Sequence, residues 1–304
     1  MNNLAIIIPY YKITFFEECL KSLANQTNKE FNLYIGNDCS PNDPEQILEK
    51  YSDKLQINYK KFENNLGKDN LVSQWDRCIN LSKDEEWIMI LGDDDTLSEN
   101  VVEEFYKTIP TSKNIELIRL ASQEINAIGE PITKIYYNPE LELAKDFFLR
   151  CQKGEGRCTL TEHFFTRRTY KKHRFKNFPV AFGSDHVAWL EFSNMGNVYG
   201  VNTALANIRI SDENLSSIND RGLGFKRVEG YYQYFRYIVE KLGAYFSMAE
   251  KEFIFNKAYF YLRIFNRNNF KAADFILFMM YKIGFKRTMK IVKGNRNKKN
   301  EKRI

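Results

Sequence analysis

The first 121 residues alternate between short apolar runs and segments whose apolar residues recur at helical spacing. Five runs have the strand pattern, at 4–9, 31–37, 55–62, 87–91 and 115–121, and helical spacing predicts a helix at 67–81. Strands and helices that alternate along a chain pack as a sheet with helices on both faces, so the pattern predicts an α/β fold. Ligands of such sheets bind beyond the carboxyl ends of the strands. This rule directs attention to the loops at 9–12, 37–43, 64–68 and 92–96.

The order of elements changes beyond about residue 130. Strand-like pieces at 132–137 and 160–166 flank a predicted helix at 141–151, and a further helix is predicted at 184–194. A strand follows at 198–210, and a helical region dense in Tyr and Phe begins near residue 225. We therefore divide the chain into an α/β domain at 1–212 and a C-terminal helical region with a basic tail at 213–304.

The triplet Asp93-Asp94-Asp95, directly after the apolar run at 87–91, is the strongest local signal in the sequence. Three adjacent acids repel one another, and a bound cation relieves that repulsion. Carboxylates are hard oxygen ligands suited to Mg²⁺ or Mn²⁺, which are often shared with a substrate diphosphate. An acidic helix cap is the simpler interpretation, but a cap needs one acid and Ser98 is available for it. The triplet therefore favours a divalent metal site.

Two further acids have less specific surroundings. Asp38 stands at the end of the second strand-like run, where its carboxylate can accept hydrogen bonds from a ribose or a base N–H. An Asx-type turn explains Asp38 equally well. Asp185 begins the helix predicted at 184–194, and a helix N-terminus favours an ionised carboxylate ready to accept a proton. An ordinary acid of a first helical turn explains Asp185 equally well.

Taken together, these segments resemble the family 2 glycosyltransferases, which have the GT-A fold, over about residues 3–212. IIIPYY is similar to the opening strand of that family, and GSDHVAWLEF and LANIRIS resemble its acid-containing helix and its later YRxH region. NDCSPND, Asn65-Leu66-Gly67-Lys68 and LGDDD resemble its DDxSxD, NxGxx and LDxDD segments. The segments come in the order of the family at about the same spacing, which makes the resemblance more specific than any single motif.

The resemblance implies a role for each matching residue. Pro9, Tyr11 and Asp38 are expected to line the nucleoside pocket, and Lys68 is expected near the base or the phosphates. Asp94, with Asp95 beside it, matches the metal-binding acids. Asp185 matches the catalytic base and Arg209 the Arg of the later segment, on the side of the nucleotide sugar.

The chain departs from the pattern of the family at three places. Gly92 replaces the first acid of LDxDD, so Asp93 is expected to take over the ribose contact from a shifted position. The Arg that usually follows the NxG segment is missing, and Arg77 is a candidate substitute. Ser211 stands where the family often has His.

The implied function is inverting transfer of a sugar from a nucleotide-diphosphate donor, expected to be a UDP-sugar, with Mn²⁺ or Mg²⁺ as cofactor. The implied acceptor is a hydroxyl of a glycan or a lipid-linked carrier, in bacterial polysaccharide or cell-surface glycan synthesis. A sugar-phosphate nucleotidyltransferase is an alternative, but it needs a Gly-rich phosphate loop that the first strand lacks. A non-catalytic nucleotide-sugar-binding module of the same fold is another, although both Asp94 and Asp185 are present.

Cysteine usage and charge bear on location and partners. Five cysteines without a CxxC pair suit reduced thiols, and no apolar run is long enough to span a membrane, so a cytoplasmic protein is expected. The net charge is +6, and nine Lys or Arg with one acid occur at 286–303. Apolar and basic residues interleave at 270–304, which predicts peripheral contact with anionic lipid on the inner face of the plasma membrane. The tail lacks a nucleic-acid recognition motif.

Overall fold

The computed structural model describes residues 3–109, 114–212, 221–265 and 270–301. The predicted α/β fold with additional C-terminal helices is confirmed. Two compact units divide the chain: residues 1–177 with 188–217 form the first unit, and residues 178–187 with 218–304 form the second unit. The domain boundary between residues 212 and 213 stays a prediction, because 213–220 lie outside the described residues.

The described residues of the first unit form one nine-stranded sheet. Its order is β3-β2-β1-β4-β8-β6-β9-β5, with β7 paired to β9. The strands in chain order are β1 Leu4–Tyr10, β2 Phe31–Asn37, β3 Ile57–Lys61, β4 Trp87–Ile90, β5 Thr96–Leu97, β6 Leu117–Ile125, β7 Leu141–Leu143, β8 His163–Thr166 and β9 Asn197–Arg209.

Strand direction fixes where the loops meet. β1 is parallel to both β2 and β4, and β2 is parallel to β3. β8 is antiparallel to both β4 and β6, and β9 is parallel to β6. The strands β1, β2, β4, β6 and β9 therefore end at the same edge of the sheet. We call this the carboxyl edge.

Among the described residues, the first six α-helices belong to the first unit, the seventh has residues in both units, and the last four belong to the second. They are α1 Phe16–Ala24, α2 Glu45–Tyr51, α3 Leu71–Ile79, α4 Val101–Thr108, α5 Ala144–Gln152, α6 Arg167–His173 and α7 Ser184–Phe192, then α8 Arg221–Lys241, α9 Met248–Phe265, α10 Phe270–Ile283 and α11 Phe285–Glu301. Every residue of β1 from Leu4 to Ile8 is fully buried, because helices cover both faces of the strand as in a parallel α/β sheet. No helix within the described ranges is both long enough and apolar enough to cross a bilayer.

Three sequence predictions differ from the structure. The strand expected at 132–137 is reduced to isolated bridges of Ser122 with Tyr136 and Ile125 with Pro131. The helix expected at 141–151 starts later, because 141–143 pair with β9 as β7. The helix expected from residue 67 begins at Leu71, since the Asn70 side chain caps it by accepting a hydrogen bond from the Ser73 amide at 3.0 Å.

Candidate functional site

Asp93 holds the loop between β1 and α1 at the carboxyl edge. Its Oδ2 accepts hydrogen bonds from the backbone amides of Tyr11 at 2.8 Å and Lys12 at 2.7 Å. The carbonyl of Tyr11 accepts a further bond from Ser40 Oγ at 2.6 Å, which joins the loop after β2 to the same place. The first member of the triplet thus shapes the loop that the sequence assigns to the nucleoside.

Asp93, Asp94 and Asp95 form the turn that follows β4, which we call the acidic turn. Contacts of Asp95 and Arg209 join the end of β9 to it. Asp95 Oδ1 accepts a hydrogen bond from the Arg209 amide at 2.8 Å, and Oδ2 accepts one from the Thr161 hydroxyl. The Arg209 guanidinium is fully buried and donates to the carbonyl of Asp94 at 2.8 Å. It also donates to the carbonyl of Ala127 at 2.9 Å. Arg209 therefore stabilises the turn from the buried side. Its contact with the donor stays a prediction.

Asp94 is the member of the triplet with a charged side-chain partner near solvent. Its Oδ2 lies 2.7 Å from Lys12 Nζ, and the two side chains are 12% and 26% exposed. The Lys12 side chain is the more exposed of the two and ends in a compact charge on a flexible stem, so it can leave this carboxylate for another partner. Asp94 is therefore available for exchange with another cation.

The three carboxylates perturb one another. Burial and the neighbouring charge of Asp94 raise the pKa of Asp93 to about 6. The same two causes, burial first, raise the pKa of Asp95 to about 7. Burial likewise raises the pKa of the Cys19 thiol well above its usual range. Burial beside a like charge therefore disfavours the ionised forms of Asp93 and Asp95, and a cation bound at the turn would favour them.

Whether the donor set fits a metal depends on what a substrate contributes. Within the described part of the chain, no three His, Cys, Asp or Glu side chains converge as a metal site of their own. Mg²⁺ is commonly held by one or two carboxylates together with substrate phosphates, and Asp94 meets that requirement. Asp95 already accepts two hydrogen bonds, but a carboxylate has about four acceptor sites. The residues fit a cation shared with a diphosphate.

Asp38 organises the loop that follows β3. Its two carboxylate oxygens accept hydrogen bonds from the amides of Leu66 at 2.7 Å and Gly67 at 2.8 Å. Arg77, the candidate substitute for the missing Arg, pairs with Asp38 and stacks on Phe62 with its guanidinium carbon 4.0 Å from the ring centre. The hydrogen bonds of Asp38 thereby join the loops at 37–43 and 65–68, which carry two of the segments that resemble the family.

The remaining residues predicted to contact the nucleotide lie on the same edge. Pro9 is half-buried in β1 and pairs in register with Gly36 of β2. The Tyr11 side chain is 40% exposed, and Lys68 is exposed on the loop after β3. The structure thus brings together Pro9, Tyr11, Asp38, Asp93, Asp94, Asp95 and Arg209 through strand pairing and hydrogen bonds, with Lys68 joined by its amide to Asn65 Oδ1 at 3.0 Å.

Asp185 belongs to the second unit, at the start of α7. It is half-buried, and its Oδ1 accepts a hydrogen bond from the His186 amide at 2.8 Å. His186 Nδ1 lies 2.9 Å from the Tyr234 hydroxyl, which anchors the first turn of α7 to α8.

The backbone just before Asp185 is strained. Val180 has a φ of 55°, a rare value for a β-branched residue, and Gly183 has a φ of 70°. A Cβ at Gly183 would lie 2.3 Å from the Tyr234 ring, so this position requires glycine. Strain of this kind persists where the surrounding structure holds it, and it clusters at functional sites.

Sequence reasoning missed two contributors, Lys12 and Thr161. Thr161 bonds Asp95 across 66 residues of chain, and no local pattern marks it. Lys12 was visible only as a member of the loop at 9–12. Its pairing with Asp94 depends on the three-dimensional contact between two strand ends.

The mixed sheet and the acidic turn at its carboxyl edge define a GT-A-type glycosyltransferase. The chain belongs to glycosyl transferase family 2, whose sequence profile matches residues 5–194. The resemblance noted in the sequence is thereby confirmed. No curated protein sequence matches the chain at a significant level.

Solved structures of similar fold include S. aureus TarS, with a TM-score of 0.61 and 17% identity over 88% of this chain. The chain spans 44% of that protein. S. aureus TarS 1-349 in complex with UDP-GlcNAc gives a TM-score of 0.61 and 13% identity, covering 97% of this chain and 92% of the other. Mannosyltransferase PcManGT from Pyrobaculum calidifontis, in complex with GDP-Man and Mn2+, gives 0.57 and 10%, with coverages of 97% and 79%. Likeness at these identities shows the fold.

Proposed function

We propose that the chain is an inverting, metal-dependent glycosyltransferase that uses a nucleotide-diphosphate sugar, most simply a UDP-sugar. The observation that carries the proposal is the acidic turn, where Asp93 and Asp95 hold the surrounding backbone while Asp94 keeps an exchangeable partner. Similar folds have been solved with UDP-GlcNAc and with GDP-Man and Mn2+, which supports a nucleotide sugar as the donor.

The nucleotide is expected to bind along the carboxyl edge. Tyr11 offers an exposed ring for the base, and Asp38 lies in the loop cluster that resembles the nucleoside pocket of the family. Lys68 offers an exposed ammonium for the phosphates, and Pro9 fixes the end of β1 beneath them. Asp93 accepts hydrogen bonds from the Tyr11 and Lys12 amides and in this way shapes the ribose side of the pocket.

Asp94, with Asp95 beside it, is proposed to hold Mn²⁺ or Mg²⁺ together with the diphosphate of the donor. A divalent cation bound there supplies electrostatic stabilisation of the charge that develops on the departing diphosphate. Arg209 is proposed to act on the side of the nucleotide sugar by fixing the Asp94–Asp95 turn through its bond to the Asp94 carbonyl. The hard carboxylate oxygens of Asp94 and Asp95 support this proposal, because Mn²⁺ and Mg²⁺ prefer such ligands.

Asp185 is proposed as the general base. It accepts the proton of the acceptor hydroxyl while that oxygen bonds to the anomeric carbon. The bond between the anomeric carbon and the diphosphate oxygen breaks on the opposite face, and its electron pair leaves with the nucleotide. One in-line displacement of this kind inverts the anomeric centre. The acceptor is proposed to be a glycan or lipid-linked hydroxyl in bacterial polysaccharide or cell-surface glycan synthesis.

A panel of UDP- and GDP-sugars tests the function. With Mn²⁺ present, we expect release of nucleotide from one donor in the panel, by slow hydrolysis without acceptor and faster with glycan acceptors. Excess chelator should abolish release and serves as the control. Binding of a nucleotide sugar with no turnover of any donor would identify a non-catalytic binding module, the alternative of the same fold.

A membrane-facing surface on the second unit is a further part of the proposal. In α10 and α11, Phe275, Met279 and Ile283 are buried and pack within the unit. The side chains of Leu277, Tyr281 and Phe285 are instead 65%, 84% and 64% exposed. Three exposed lysines, namely Lys286, Lys290 and Lys293, line one open groove together with Phe285. Exposed aromatic and basic groups on one surface are complementary to an anionic lipid interface.

The 304-residue chain should therefore sediment with anionic liposomes and stay in the supernatant with neutral ones. Each Lys near such a surface contributes about 1 kcal/mol, so the triple variant Lys286→Glu, Lys290→Glu, Lys293→Glu should lose sedimentation. The control carries the same charge change elsewhere, at Lys54, Lys83 and Lys153, and should behave as wild type. Equal recovery of all proteins in the supernatant would contradict membrane binding and show that these exposed residues are only solvated.

A further inference from the structure

Lys12 has a fixed backbone and a side chain that turns back to the acidic turn. Its amide donates to Asp93 Oδ2 at 2.7 Å, and its Nζ lies 2.7 Å from Asp94 Oδ2. The loop on which Lys12 stands is fixed from the other side by the bond of Ser40 Oγ to the Tyr11 carbonyl. The ammonium therefore occupies the immediate surroundings of the proposed metal ligand.

Among the described residues, the cationic side chains of Lys12 and Arg209 bond the acidic turn, and they differ in mobility. Arg209 is fully buried and donates to several backbone carbonyls, so its guanidinium has no room to exchange partners. Lys12 keeps 26% of its side chain exposed and ends in a compact charge on a flexible stem. Of these two cations, Lys12 is the one whose side chain can leave the turn.

We propose that Lys12 neutralises Asp94 in the free enzyme and moves to the diphosphate of the donor when a divalent cation takes its place at Asp94. This inference rests on the proposed function, since it assumes that Asp94 binds the metal. A monovalent ammonium and a divalent cation compete for the same carboxylate, so the free enzyme binds the metal weakly. The diphosphate removes that competition by offering the ammonium a new anionic partner.

Exchange of this kind couples the two ligands. The nucleotide raises the affinity for the metal, and by thermodynamic reciprocity the metal raises the affinity for the nucleotide by the same factor. Lys12 is then a donor-positioning residue that makes metal and donor bind together. Without it, the metal site is open in the free enzyme and the coupling shrinks.

Mn²⁺ binding measured by electron paramagnetic resonance tests the exchange without any need for turnover. Wild type, Lys12→Met, Lys12→Arg and Lys21→Met are titrated with Mn²⁺ alone and again with saturating UDP. We expect Lys12→Met to bind Mn²⁺ alone about tenfold more tightly than wild type, and the enhancement by UDP to fall about tenfold, within the usual range of coupling between sites. Lys12→Arg keeps the charge and should bind Mn²⁺ alone as weakly as wild type. Lys21 is exposed on α1, so Lys21→Met controls for the loss of one positive charge.

The outcomes separate this inference from the function on which it rests. If wild type binds Mn²⁺ with UDP through Asp94, but Lys12→Met leaves both affinities unchanged, the exchange is refuted and the metal site stands. If wild type does not bind Mn²⁺ even with UDP, the metal site itself is refuted, and the exchange with it. Thermal unfolding of each variant shows whether an altered affinity reflects a folded protein.

Discussion

Replacing Asp185 with asparagine should lower the rate of sugar transfer by about 10²–10⁴-fold, the usual effect of removing a general base. Asparagine has nearly the same size, and its side-chain oxygen can still accept the 2.8 Å hydrogen bond from the His186 amide. The start of α7 should therefore keep its structure. Affinity for UDP, measured by calorimetry, should be unchanged, because Asp185 is proposed to act on the acceptor hydroxyl and is not among the residues proposed to bind the nucleotide.

Asp146 provides the matched control for this experiment. It is also an acid in the first turn of a helix, α5, and its side chain is 50% exposed. Asp146→Asn should keep full activity, so a loss confined to Asp185→Asn cannot come from a general effect on a helix N-terminus. If Asp185→Asn also abolishes UDP binding, the residue is a pocket or structural acid and the base lies elsewhere.

Replacing Asp94 with alanine should reduce transfer by at least about 10²-fold, because the charge on the departing diphosphate loses its electrostatic stabilisation. The fold should survive. The Lys12 side chain, which is 26% exposed, can turn to water once its partner is removed. Burial is the main cause of the raised pKa values of Asp93 and Asp95, and repulsion by Asp94 is the second. Removing the charge of Asp94 relieves that repulsion. Transfer assays with Mn²⁺ and thermal unfolding measure the two effects separately.

Asp84 is exposed just before β4 and serves as the control for Asp94→Ala. Asp84→Ala changes the net charge equally and should leave both activity and the midpoint of unfolding unchanged. Full activity of Asp94→Ala, or of wild type in excess chelator, would refute the proposal that Asp94 binds a divalent cation. A large fall in the unfolding midpoint of Asp94→Ala would instead give Asp94 a structural role.

The sequence was sufficient for the strands that carry the site because their apolar runs are continuous and their order follows the chain. β1, β2, β3, β4 and β6 all lie where those runs predict. It was insufficient where pairing partners decide the outcome. Residues 141–143 have helical spacing, yet the backbone of β9 offers them hydrogen bonds and they join it as β7.

The same distinction holds for the site. Motif matching located the acidic turn, but it gave no hint that the guanidinium of Arg209 is buried beneath that turn. Such a position depends on the pairing of β9 with β6 and with β5, which brings Arg209 beside the residues that directly precede β5. The pairing of Lys12 with Asp94 joins residues 82 positions apart and has no local signature.

The position of Arg209 also affects the order in which the site assembles. Its guanidinium pairs with Glu18, 191 residues earlier, and its amide bonds Asp95, 114 residues earlier. Contacts of such high sequence separation close late, because the chain must first lose the entropy of a long loop. A nascent chain can therefore form the sheet around β1 and β4 well before β9 emerges and completes the acidic turn. Nucleotide binding would then report the last stage of folding, not the first.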